Sequence, residues 1–333
     1  MSRAPQRPGW VAAWLALALA ALSVISLGVG SDDMGLARIL RWILTTEGAT
    51  DDDVAAVLSL RAPRIAVAIL SGAMLAASGY LLQIVANNGL ADPGIIGISQ
   101  GASAAILLGG VTFGLPAAWL APAGLIGGLT TGILVLGLSL WLGSTLGLVL
   151  IGLAVSITLG AAVEMVMVSG GINQFVQLLT WSHGSLTAAS PVDAVRLFGW
   201  AAALALPLLM APQALAPLRL GSEQAAAVGA NPRYSRPLLV LLAAALVAPV
   251  VAIAGPVSFV GLIAAHVARR LAGERPSAVL GVTLLVGALL FLGADTAGRT
   301  LFLPLIVPAG LLVSLGGVLG FLIVARSAAW RPG

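Results

Sequence analysis

The sequence predicts an all-α integral membrane protein, a bundle of about ten transmembrane helices, and three observations carry that prediction. Only 8% of the 333 residues are charged, 59% are apolar, and the mean hydropathy is +1.08. A soluble domain carries roughly 25% charged residues, and a soluble fold of this size needs a polar surface that this composition cannot supply. Most of the surface therefore faces lipid. Uncharged blocks long enough to cross the bilayer core recur along the chain, and from Pro93 to Val163 there is no charged residue at all. That block alone suffices for about three crossings. Finally, every one of the 16 basic residues is arginine, and they lie between the apolar blocks. A sequence pI near 10.9 can mean nucleic acid, but arginines so placed mark topology, and no nucleic-acid partner is expected.

Taken in order, the first span is 9–30, apolar from Trp10 to Gly30 behind Arg3 and Arg7. The apolar stretch of a signal peptide is about 7–15 residues, so this longer run is read as a retained span. An outer segment follows at about 31–60, in which 34–45 spaces apolar residues helically around Arg38 and Arg41, as an interfacial helix does. The next spans are 64–86, 95–112, 116–141 and 144–168, broken by Gly-Leu-Pro at 114–116 and by Gly143-Ser144. After the span 192–211 comes the longest inner loop, about 212–236, where Ser222–Val228 read as a short helix. Ser222 is its N-cap and Glu223 sits at the positive end of its dipole. The series closes with 236–254, a short 257–272, 277–294 and 306–325. With no repeat or low-complexity linker, 1–333 reads as one transmembrane domain.

An even number of spans puts both termini on one side. With that side cytoplasmic, ten arginines fall inside and six outside, which satisfies the positive-inside rule. Arg61, Arg64 and Arg299 are among the outer six. The absence of cysteine excludes disulfides and thiolate chemistry. The absence of lysine excludes a P-loop, whose lysine reaches the nucleotide phosphates, so ATP used with this chain must be bound by another polypeptide. No nucleophile–base pair and no convergent His, Asp and Glu cluster is visible. Neither catalytic residues nor a metal or cofactor is expected.

Glu164 is the one ionisable residue inside an otherwise apolar span, about one turn from its outer end. An intramembrane carboxylate is a functional candidate, although one so near the interface can also reach the headgroups. No second intramembrane acid or histidine accompanies it. His183 reads as a rim residue and His266 as a satisfied packing residue; Asn87, Asn88 and Asp92 read as turn formers at an inner helix junction. Gln83 is placed facing the path.

Four stretches together resemble one family, the permease subunits of bacterial type II ABC importers for ferric siderophores, haem and cobalamin. They are Leu60–Arg64 with Gly79–Gln83; Asn88–Gly94 running into Gly97–Ala102; Trp181–Leu186; and a long C-terminal series. That series holds Leu220–Glu223, Gly255–Leu262, His266, Ala294-Asp295 with Arg299, and Pro308–Gly310. Their order over about 55–325 makes the set specific, although Gly89, Ala265 and Leu319 stand where the family usually has proline.

The resemblance implies two permease copies, identical or paralogous, facing each other around a central path. Beneath them would sit two ATP-binding cassette subunits, and above them a periplasmic or lipoprotein binding protein. The cytoplasmic (inner) membrane of a bacterium is the implied location. Arg61, Arg64 and Arg299 match the arginines that receive glutamates of the binding protein, a task that suits the bidentate guanidinium. The loop around Leu220, Gly221, Ser222, Glu223, Ala225 and Gly229 matches the coupling helix, where Ala225, Ala226, Ala227 and Gly229 would allow close packing against the ATPase. Glu164 lies on the helix that lines the path. A ferric siderophore is the expected cargo, with haem or cobalamin the alternative within the family. A stand-alone secondary transporter would instead show several intramembrane acids or broken polar helices binding a coupling ion.

Overall fold

The computed structural model describes residues 8–29, 52–142, 145–169, 178–220 and 222–329, and every regular element among them is helical. The helices are α1 (Pro8–Gly28), α2 (Asp52–Val85), α3 (Ile98–Leu107) continued by a π-helical turn (Leu108–Thr112), α4 (Ala117–Trp141) and α5 (Thr145–Ser169). They continue with α6 (Pro191–Leu218), α7 (Ser222–Ala227), α8 (Pro232–Ala254), α9 (Val260–Ala272), α10 (Pro276–Thr300) and α11 (Ala309–Ala329). Seven of these, α1, α2, α4, α5, α6, α8 and α10, are long and apolar enough to cross a membrane. The remaining expected crossings fall on the shorter helices at 98–112, α9 and α11.

Three boundaries differ from the hydropathy reading. Helix α2 starts at Asp52 rather than 64, so the later part of the expected outer segment is helix. The expected interfacial helix at 34–45 lies outside the described residues. Helix α6 runs on to Leu218 despite Pro207, Pro212 and Pro217, which shortens the inner loop. It is started by a capping box in which Ser190 Oγ accepts from Asp193 N and the Asp193 carboxylate accepts from Ser190 N. Helix α10 continues to Thr300, so Asp295 and Arg299 lie on one helix face, four residues apart.

Helix α2 is the centre of the bundle. Of its most apolar window 78% is buried, against 72% for α8, 50% for α10 and only 11% for α1, α5 and α6. Lipid is as apolar as leucine, so helices here associate through close packing rather than through a hydrophobic drive. Glycine pairs supply that closeness. A Cβ on Gly79 of α2 would lie 2.4 Å from the Gly261 Cα of α9, and one on Gly72 would lie 2.3 Å from the Gly287 carbonyl oxygen of α10. Ser78 Oγ donates to the Ala243 carbonyl of α8 at 3.0 Å, adding a polar tie between buried helices.

Two non-helical stretches interrupt the bundle, 86–97 between α2 and α3 and 255–259 between α8 and α9. Irregular backbone at membrane depth is tolerated only when it is buried in protein or lines a cavity. The first stretch is tied down as the turn residues suggest. Asn88 Oδ1 accepts from Leu90 N at 2.9 Å, and Asp92 Oδ1 accepts from Gly94 N at 3.0 Å. Asp92 is 1% exposed and lies at the start of α9, whose own N-cap residue Phe259 offers no side-chain acceptor, so its carboxylate sits by the free amides of a helix distant in sequence. Ser156 Oγ of α5 donates to the Gly94 carbonyl at 2.9 Å and fastens the same stretch from another side.

Candidate functional site

A cavity of about 370 Å³ opens beside the turn at 183–184 and the 255–259 stretch. Gln100 in the first turn of α3, Gly160, Val163, Glu164, Met167 and Val168 of α5, Leu179, Ser182 and His183, and Pro256 between α8 and α9 line it. Its wall is set by backbone contact. Gly255 has φ +81°, and a Cβ there would fall 1.8 Å from the Trp181 carbonyl oxygen, so only glycine lets the two segments touch. Gly310 N donates to the Gly184 carbonyl at 2.9 Å, bringing the start of α11 to the same turn.

Glu164 is exposed and lines this cavity. The structure also brings His183 to it. Residue 183 comes nineteen positions later, beyond the end of α5, so hydropathy gave it no relation to Glu164. His183 Nδ1 lies 2.6 Å from the Leu179 carbonyl oxygen, so Nδ1 carries the proton and donates. His183, expected at the rim, thus lines the same cavity as Glu164. Gln100 is a further lining residue that sequence reading missed; its place in the first turn after a broken segment was the available signal. Gln83 goes the other way. It is 3% exposed, because α2 is packed on most sides, and neither atom of its side-chain amide has a hydrogen-bond partner among the described residues. It is absent from the cavity lining. His266, expected to be satisfied, has a buried Nε2 with no such partner.

The three arginines come together at the far end of α2 and α10, but they point into the chain. Arg64 holds Asp295 through both its Nε and Nη2, at 2.8–3.1 Å. Asp295 is 2% exposed and also lies 3.8 Å from Arg299 Nε. Arg61 and Arg299, each 8% exposed, reach the end of α1. Arg61 Nη1 donates to the Leu27 carbonyl at 2.7 Å, and Arg299 donates to the Ser26 and Val29 carbonyls and to Ser26 Oγ. The last carbonyls of a helix have no partner within it, and α1 has no basic residue in its own last turn. Two other helices supply the cations that its dipole favours there. Among the three, only Arg64 keeps an appreciably exposed side chain, 17%.

At the opposite end of the bundle, α7 closes in a Schellman motif. Ala230 N donates to Ala225 O at 3.0 Å, Gly229 N donates to Ala226 O at 3.0 Å, and Gly229 has φ +83°. Ala225 is fully buried against the chain itself rather than offered to a partner, while Ala226, Ala227, Val228 and Gly229 are exposed. A Cβ on Gly229 would meet nothing within the chain, and its positive φ is what the turn requires. Leu220 is 55% exposed, and the region is fastened by an ion pair from Arg219 to Glu274. Gly221 lies outside the described residues, as do the side chains of Ser222 and Glu223.

An all-helical bundle with seven described helices long and apolar enough to cross a membrane is that of a multi-pass membrane protein. Comparison with known proteins makes the class specific: the model of the FecCD transport family matches residues 18–327, and the chain belongs to that family. It is similar to the achromobactin transport system permease protein of Dickeya dadantii (strain 3937), 37% identical over 92% of this chain and 88% of that one. It is also similar to the hemin transport system permease protein of Yersinia pestis, 35% identical over 96% and 98%. Among solved structures it resembles a metal-chelate type ABC transporter in an inward-facing conformation, with a TM-score of 0.81 and 29% identity over 96% of this chain and 99% of that one. The chain is an ABC importer permease, the membrane-spanning subunit and not the ATP-hydrolysing one.

Proposed function

We propose that this permease carries a ferric siderophore or a similar iron chelate across the bacterial inner membrane, received from a binding protein and driven by two ATPase subunits. The observation that carries the reading is the cavity lined by Gln100, Glu164, His183 and Pro256 among apolar helices, where a solute can meet polar groups. Two copies of the chain, or this chain and a paralogue, enclose the path between them. Both termini face the cytoplasm, in keeping with the arginine asymmetry.

Docking of the binding protein is proposed at the outer arginine cluster. Arg64 keeps 17% of its side chain exposed there, and an exposed guanidinium suits a carboxylate on a partner. Arg64, the most exposed, makes the contact, and the other two hold α1 in place. Coupling is proposed at α7 and its flanks, where Leu220, Ala226, Ala227 and Val228 offer an exposed apolar surface to the ATPase. Haem is the second reading, favoured by the 35% identity to a hemin permease over nearly the whole chain.

The test is uptake of radiolabelled iron by cells with and without the gene, offered ferric chelates, haem and cobalamin separately. Loss of ferric-chelate uptake on deletion, restored by the gene, is the expected result. Uptake that persists in energised vesicles without ATP would point to a gradient-driven carrier and end the importer reading of the cargo step.

A further inference from the structure

Between Asp92 and Asp193 the sequence holds a single Asp, Glu, Lys or Arg, and it is Glu164. The structure turns that one charge into the cavity. Among the described residues no guanidinium lines the cavity; Gly160, Val163, Met167, Val168 and Leu179 stand beside Glu164, and His183 is the other ionisable residue of the lining. The arginines described above are engaged elsewhere: Arg61 and Arg299 at the end of α1, Arg64 on Asp295, and Arg219 on Glu274. A cleft with one sign of charge and low-dielectric walls focuses its field and changes local ion concentrations. Rings of carboxylates in cation channels act in this way.

We infer that Glu164 makes this cavity cation-attracting and anion-excluding, so that the path takes chelates of neutral or positive net charge. The inference rests on the cavity being the path. If two copies face each other, two carboxylates act on the same solute and the exclusion of anions doubles. In chemical terms, three hydroxamates neutralise ferric iron, whereas three catecholates leave it triply negative. The cavity therefore favours hydroxamate-type chelates over tris-catecholates. Gln100 and Ser182 add neutral hydrogen-bonding groups suited to the amide and hydroxamate oxygens of such a ligand.

The chain's lack of cysteine makes a direct test possible. A Ser182→Cys substitution puts one thiol on the cavity wall of the full-length protein in nanodiscs. Its modification rate is measured with two methanethiosulfonate reagents, one bearing trimethylammonium and one bearing sulfonate. The cationic-to-anionic rate ratio is expected to fall about ten-fold when Glu164→Gln is added, and to survive Glu164→Asp and His183→Gln. An unchanged ratio in Glu164→Gln, with both reagents reacting, would overturn the charge selection while leaving the cavity as a path. If neither reagent reacts until the protein is denatured, the cavity is closed to water and both readings fall.

Discussion

Asp295 holds Arg64 and balances Arg299, so its removal leaves two guanidiniums uncompensated in a poorly hydrated place. Breaking such a pair from one side costs on the order of 3 kcal/mol. Asp295→Ala is expected to lower the thermal midpoint of the purified protein markedly, and Asp295→Ala with Arg64→Ala to cost less than the two single changes summed. The arginines separate by role in the same measurement. Arg299→Ala loosens α1 and lowers the midpoint, because Arg299 answers carbonyls at the end of that helix. Arg64→Gln is expected to weaken binding-protein association more than Arg61→Gln does, read by surface plasmon resonance with the cognate binding protein. Equal effects from both would remove Arg64 as the docking contact.

Helix packing yields a sharper contrast. Gly79 and Gly281 are both helical glycines in long apolar helices. A Cβ on Gly79 collides with the backbone of α9, whereas one on Gly281 meets nothing. Gly79→Val is expected to abolish a monodisperse peak in size-exclusion chromatography, and Gly281→Ala to leave the profile unchanged. On α7, Gly229→Ala forces a side chain into a left-handed turn and costs about 1 kcal/mol. By contrast, Val228→Asp touches only the exposed face. It is expected to reduce ATPase stimulation in the reconstituted importer several-fold with no change in the permease's thermal midpoint. A parallel loss of stability would show that Val228 belongs to the fold and not to the coupling surface.

For the whole molecule, the arginine distribution sets the orientation to be tested. A fluorescent protein fused to the C-terminus is expected to fluoresce, and alkaline phosphatase at the same point to be inactive, since only the first folds in the cytoplasm. The reverse pattern would invert every inner and outer assignment, including those of α7 and the arginine cluster. The same scale explains which spans were easy to read. Long lipid-facing helices such as α1, α5 and α6 are continuous apolar runs, and hydropathy finds them directly. The ends of α2, α6 and α10 were misjudged because charged or proline-bearing turns are helical there once other helices satisfy them.

Composition alone determined that this chain lives in a bilayer and, through its missing lysine, that it carries no P-loop of its own. Motif order carried the family, and Glu164 stood out because one charge in an apolar span is conspicuous in a linear reading. Tertiary structure decided what surrounds each charge. It set His183 and Gln100 on the same cavity as Glu164, buried Gln83 in the central helix and turned Ala225 inward. It also drew Arg61 and Arg299 onto the carbonyls of α1. These are contacts between segments distant in sequence, made by broken helices and backbone approach at glycine. Periodicity reports which residues share one helix face, but the neighbour of that face is set by how the helices pack.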